Sequence, residues 1–149
     1  MTVRLTRRVG VDGVDVLWTN YTGGMNASLN VLGTPLKPCS HDPLTGWYRD
    51  GCCNTDANDR GSHTVCARVT ADFLLALAEH GNDLVTPAPQ HGFPGLKPGD
   101  CWCVCAGSWY AAYQTGRACP VDLERTHAAV LRVVPLEALM ACSEGGAEA

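Results

Sequence analysis

Apolar and polar residues alternate most cleanly in two stretches of the chain. Over residues 63–69, Val65, Ala67 and Val69 fall on one side with His63, and Thr64, Cys66 and Arg68 on the other. Side chains alternate faces in a strand, so this pattern predicts a β-strand. Over residues 100–105, after the turn pair Pro98-Gly99, Cys101, Cys103 and Cys105 share one face, and Trp102 and Val104 the other. Helical spacing appears between them. Phe73, Leu74, Leu77 and Ala78 make one stripe, with Thr70 as N-cap, Asp72 in the first turn and Gly81 as the stop. Shorter helices are expected over 108–115, with Trp109, Ala112 and Tyr113 inward; from Thr126 to about Val134; and over 136–142 behind Pro135. A short strand is expected over 120–124. Val14 and Val16 alternate about Asp15 and suggest another over 11–18.

The connections are rich in turn formers. Pro35, Pro38 and Pro43 impose an extended path that carries Cys39 and His41. Residues 45–51 form a turn around Trp47 and Tyr48, and residues 54–62 read as a polar surface loop. Residues 82–99 make a long loop anchored by Leu84, Val85, Phe93 and Leu96. Without a βαβ rhythm or a Gly-rich phosphate loop, the pattern predicts an α+β fold. It has a small, mostly antiparallel sheet, three to four short helices and long Pro/Gly-rich loops. Three parts follow: residues 1–29 as an added edge strand or a loosely held extension, 30–142 as a single cysteine-rich domain, and 143–149 as a frayed tail.

Composition narrows the chemistry. A chain of 149 residues with 46% apolar content can bury a core without cross-links. Its net charge of -4 argues against a nucleic-acid or anionic-membrane partner, leaving a small-molecule substrate as the partner to expect. No apolar run is long enough for a transmembrane helix. Arg4, Arg7 and Arg8 are not followed by an apolar segment, because Asp12, Gly13 and Asp15 interrupt it, so a cytoplasmic location is expected. In a reducing compartment the nine cysteines are expected to be metal ligands, catalytic or buried rather than disulfide-bonded.

A set of motifs then carries a resemblance. These are Asn30-Val31-Leu32-Gly33, Pro38-Cys39-Ser40, Thr45-Gly46-Trp47-Tyr48-Arg49-Asp50-Gly51-Cys52-Cys53 and Gly61-Ser62-His63-Thr64-Val65-Cys66-Ala67. Gly81-Asn82-Asp83-Leu84, Phe93-Pro94-Gly95-Leu96-Lys97-Pro98-Gly99-Asp100, Trp102-Cys103, Cys105-Ala106 and Thr126-His127 follow. Over about residues 30–139 the chain resembles a bacterial family catalogued as domain of unknown function twenty-two thirty-seven. The resemblance implies a compact α+β domain with no established activity. Cys39, Cys52, Cys53, His63, Cys66, Asp100, Cys103, Cys105 and His127 match its pattern, whereas Cys101, Cys119 and the segment before Asn30 look like departures.

The cysteine strand is limited by its own geometry. Residues i and i+2 lie about 6.6–6.8 Å apart along a strand. Disulfides within the strand, or one zinc ion held by all three thiols, are therefore disfavoured. Each thiol needs partners from elsewhere, and adjacent Cys52 and Cys53 point opposite ways, one toward a site and one toward the core. Three readings follow. The first is a Cys/His metal site for zinc, iron or copper, drawn from Cys39, Cys52, Cys53, His63, Cys66, Cys103 and Cys105, in a protein acting on a small thiol or amino-acid-like molecule. The second is metal-free thiol chemistry, nucleophilic, sulfur-transferring or redox. It uses Cys103 or Cys53, His127 or His63 as base and Asp100 as orienter. The third is a structural or interaction module with buried free cysteines. Trp47, Tyr48, Trp102 and Trp109 are expected in the core, and Arg49-Asp50 is expected to stabilise a turn.

Overall fold

A computed structural model describes residues 28–144 and two short strands before them. The strands are β1 (Val9–Val11) and β2 (Gly13–Asp15), which pair antiparallel with each other. The strand expected over 11–18 thus overlaps both arms of this hairpin, and its remainder lies outside the described residues. The main sheet consists of β3 (Val65–Arg68) and β4 (Cys101–Val104). They run antiparallel in a register that sets Val65 against Val104, Cys66 against Cys103, Ala67 against Trp102 and Arg68 against Cys101. Three α-helices, α1 (Ala71–Glu79), α2 (Ala106–Gln114) and α3 (Leu136–Ala141), complete the expected small α+β fold.

The register gives the sheet two different faces. Val65, Ala67, Trp102 and Val104 face the apolar core, where they meet Phe73, Leu74 and Leu77 of α1, Trp109 and Ala112 of α2, and Leu139 of α3. Cys66 and Cys103 face the other way and pack with Cys39 and Cys53. Helix α1 starts as its sequence requires, with Thr70 Oγ1 accepting the Phe73 N–H at 3.1 Å. It ends in a left-handed Gly81 at φ +88°, the Asn82 N–H bonding the Leu77 carbonyl. Ala76, rather than the expected Ala78, completes its buried stripe.

Three expected elements are shifted by competing hydrogen bonds. Helix α2 begins at Ala106, two residues before the predicted start, because the strand stops at Val104 and Cys105 becomes the helix N-cap. Cys105 therefore leaves the sheet face it was expected to share with Cys101 and Cys103. The strand expected over 120–124 is reduced to Val121, which bridges Ala67 and Ser143. Asp122 then caps a short 3₁₀ helix, Leu123–Arg125. Thr126 does not cap a following α-helix. Its hydroxyl accepts the Cys66 N–H at 3.1 Å and donates to the Asp122 carbonyl at 2.8 Å, so His127 caps a 3₁₀ helix over Ala128–Arg132 instead.

The long loop after α1 is packed down. Leu96 is buried, its N–H bonds the Leu84 carbonyl, and Phe93 meets Trp102 edge-on at 5.2 Å. From the expected tail, Ser143 bridges Val121 and Glu144 pairs with Arg68, while residues 145–149 lie outside the described residues. Among the described residues no helix is long and apolar enough to cross a membrane.

Candidate functional site

Four of the nine cysteines form one buried cluster. Cys66 and Cys103 are cross-strand neighbours, yet each is bonded to a cysteine from a loop: Cys39 to Cys66 and Cys53 to Cys103, with Cα–Cα distances of 5.6 and 5.3 Å. These values lie within the normal disulfide range. The loop cysteines are brought in by the turn over residues 45–51. Gly51, at φ +90°, accepts the Cys39 and Ser40 N–H groups on its carbonyl. A side chain at Gly51 would collide with the His41 ring, so the turn needs glycine here. The strand cysteines are held by two fully buried threonines, Thr126 Oγ1 taking the Cys66 N–H and Thr45 Oγ1 taking the Cys103 N–H at 2.9 Å. The expectation that disulfides are absent is thus corrected for these four. A chain that brings cysteines from four separate segments onto one sheet face puts their sulfurs within bonding distance. The sulfurs of Cys39, Cys53 and Cys103 all lie within 4.8 Å of one another, a group that could hold a metal ion.

A second constellation sits at the other end of β4. As the N-cap of α2, Cys105 places its thiol beside the start of the helix, 3.4 Å from His63 Nε2. His63 Nδ1 lies 2.7 Å from Asp59 Oδ1. The Asp59 side chain is fully buried, and its other oxygen accepts the His63 N–H at 2.8 Å and the Thr55 hydroxyl at 2.9 Å. The three side chains form a continuous Asp–His–Cys chain. Trp47 stacks on the imidazole, with centroids 5.9 Å apart and planes 18° from parallel. Gly61 completes the packing, since a Cβ there would stand 2.8 Å from Cys105 Sγ. The Ala106 N–H bonds the Ser62 carbonyl, whereas the Gly107 and Ser108 N–H groups have no acceptor among the described residues. Gly107 and Ser108 also line a groove of about 440 Å³ against Leu77, His80 and Asn82.

Electrostatics singles out this chain of groups. The Cys105 sulfur, against the opposing pull of burial, and then the Asp59 carboxylate raise the His63 pKa from 6.5 to about 9. The ring therefore carries both protons at neutral pH, Nδ1–H donating to Asp59 and Nε2–H to sulfur. Burial works against the charge of Asp59, but the His63 N–H, the His63 ring and the Thr55 hydroxyl outweigh it and lower its pKa. Burial raises the pKa of four other free thiols, Cys52, Cys101, Cys119 and Cys142.

The sequence-derived candidates are thereby redistributed. Cys39, Cys53, Cys66 and Cys103 meet in the disulfide cluster, and His63 and Cys105 meet in the triad. Cys52 stands apart, as expected of a residue pointing away from Cys53. Among the described residues, His127 makes no hydrogen bond to a cysteine thiol. Its Nδ1 accepts the Ala129 N–H at 2.9 Å, and burial, helped by Arg132, lowers its pKa. Asp100 accepts the Lys97 N–H and closes a turn. Arg49 and Asp50 do stabilise their turn, bonding the Gly46 carbonyl and the Cys52 N–H. Trp102 and Trp109 are in the core, but Trp47 and Tyr48 are exposed. Sequence reasoning missed Asp59 because it sits in a polar stretch that reads as a solvated loop. The signal was its position four residues before His63, with Gly61 between.

No curated protein matches the chain. A family model matches residues 29–143, spanning both constellations. The motif-based resemblance and this match agree, and the chain belongs to DUF2237, a family described as an uncharacterized protein conserved in bacteria.

Proposed function

We propose that the protein is a cysteine-nucleophile enzyme in which Cys105 attacks an electrophilic carbon of a small-molecule substrate, an acyl-transfer type of chemistry. The observation that carries this reading is the Asp59–His63–Cys105 chain, at 2.7 and 3.4 Å. A nucleophile, a base within hydrogen-bond reach and a third group orienting that base constitute the minimal apparatus of covalent catalysis. In this scheme His63 Nε2 already carries the proton, and the Cys105 sulfur beside it attacks the acyl carbon to form a thioester. The leaving group departs with the proton from Nε2. Water, deprotonated by the same nitrogen, then releases the acid and frees the sulfur beside protonated His63. Asp59 holds the ring orientation and balances its charge. The unpaired Gly107 and Ser108 N–H groups, at the positive end of α2, suit the oxygen that gains charge in each step.

The test is alkylation of the full chain by iodoacetamide at pH 7, followed by peptide mapping. Cys105 should label at least about tenfold faster than Cys52, Cys101, Cys119 or Cys142, and His63→Ala should remove that advantage. Equal labelling of Cys105 and Cys52 would refute the reading. An activated ester should then leave an acyl group on Cys105.

A second reading, binding of a soft metal such as zinc, iron or copper, is favoured by the mutual proximity of the Cys39, Cys53 and Cys103 sulfurs. Metal analysis of the reduced chain tests it.

A further inference from the structure

We infer that the buried four-cysteine cluster has two mutually exclusive states: two disulfides when oxidised, and a tetrathiolate zinc site, with Cys66 as the fourth ligand, when reduced. The inference rests on the metal-binding reading and adds to it the ligand set and the oxidation state required.

Tetrahedral zinc with Zn–S bonds near 2.3 Å sets its sulfurs about 3.8 Å apart. Three sulfurs already lie within 4.8 Å of one another, although Cys39 belongs to one disulfide and Cys53 and Cys103 to the other. The two bonds are thus in contact, rather than being independent staples at separate places. The fourth sulfur, Cys66, is bonded to Cys39 and faces Cys103 across the ladder. Breaking both bonds frees four thiols, of which Cys39, Cys53 and Cys103 are already grouped and Cys66, tied to Cys39, must swing inward to complete the set around one ion. All four cysteines are at most 8% exposed, and among the described residues the partly buried apolar neighbour packed against them is Cys101. A closed, water-poor set of four sulfurs fits a structural zinc site, which keeps no open coordination position. It also differs from the sequence expectation of a mixed Cys/His set, because His63 is engaged with Asp59 and Cys105.

The interconversion balances. Each disulfide takes two electrons and two protons from one molecule of a dithiol, which is itself oxidised to its disulfide. Two dithiols therefore yield four protein thiols. Binding Zn²⁺ then displaces four protons and leaves a site of net charge two minus. The pairing is interlaced along the chain, 39 with 66 and 53 with 103, so reducing either bond releases a loop that the other bond still anchors from within, at Cys53 or at Cys66. In the cytoplasm, the location expected from the sequence, thiols are kept reduced, which is the state that takes the metal.

The experiment uses the full chain, reduced with dithiothreitol and freed of it under argon, beside the oxidised chain. Co²⁺ and then Zn²⁺ serve as the probes. The reduced protein should take up one Co²⁺ with an intense thiolate-to-cobalt charge-transfer band, which Zn²⁺ abolishes. The oxidised protein should take up none. Zinc should protect Cys39, Cys53, Cys66 and Cys103 from alkylation while leaving Cys52 and Cys105 open, a readout that needs no variant. Cys66→Ser should weaken the band and lower affinity at least about tenfold. Equal cobalt uptake by the oxidised protein, or protection centred on Cys52 and Cys105, would overturn the inference while metal binding itself survived. Absence of cobalt uptake by the reduced protein would overturn both.

Discussion

Replacing Asp59 by Asn keeps the shape of the triad and removes its charge, and the structure sets the size of the effect. Asp59 Oδ1 lies 2.7 Å from His63 Nδ1, with the carboxylate side chain fully buried and the imidazole 33% exposed. His63 is shifted from 6.5 to about 9, more by Cys105 than by Asp59. An opposite charge at ion-pair distance is worth about 1–3 pKa units, and the partly exposed ring and minor share of Asp59 put the loss near ~1 unit. One unit corresponds to about 1.4 kcal/mol. The folded-state pKa of His63 is raised, so the stabilisation from its charge is fully present below pH 6.5 and is lost as pH rises through about 9. Asp59, with its lowered pKa, stays ionised across that window. Asp59→Asn should therefore cost about 1 kcal/mol more at pH 6 than at pH 10, over any pH-independent cost. Urea unfolding of both proteins at the two pH values measures the difference, and the His63 Cε1 proton resonance tracks its titration directly. An unchanged His63 titration midpoint, together with a flat stability difference, would refute the charge coupling on which the triad reading depends.

Other perturbations probe different parts of the structure. Gly61→Ala puts a Cβ 2.8 Å from Cys105 Sγ and should slow Cys105 alkylation, with a stability cost of about 1–3 kcal/mol by urea unfolding. Trp47 fluorescence should brighten as pH rises through about 9, because the stacked imidazolium quenches it, and Trp47→Phe should abolish that step. Thr126→Val leaves the Cys66 N–H without its acceptor and should cost about 1–3 kcal/mol in a denaturation experiment. In the oxidised chain, replacing Cys53 and Cys103 together by Ala opens a loop of separation 50, worth up to about 4 kcal/mol on loop entropy; a loss below about 1 kcal/mol would show that the bond contributes little.

Period-two and helical patterns carried the parts of the fold in which burial decides conformation. Val65, Ala67, Trp102 and Val104 are buried in register, and Thr70 and Gly81 bound α1 where their chemistry requires. The C-terminal third was less legible. Thr126 has the residue type of a cap, but tertiary packing gives its hydroxyl to Cys66 and Asp122, and no local pattern records that choice. The cysteines were legible as a group and not as partners. Strand geometry disfavoured bonds along the cysteine stretch, and neither Cys101 and Cys103 nor Cys103 and Cys105 are bonded to each other, yet the loop that delivers Cys39 and Cys53 depends on the conformation of Gly51. Cys105 was misplaced for a related reason. Continued alternation put it on the sheet, whereas one residue of strand shortening turned it into a helix cap beside His63.

The two buried threonines have a consequence beyond their single bonds. A two-stranded sheet exposes an open rim on each side, and such rims recruit strands from other chains. Here Thr126 takes the outward N–H of β3 and Thr45 that of β4, midway along each strand and directly opposite each other in the ladder. Next to Thr126, Pro120 accepts from Arg68 and Asp122 donates to Cys66. The smallest possible sheet thus ends in side-chain and loop hydrogen bonds where a larger one would add a strand. This closure guards against intermolecular pairing.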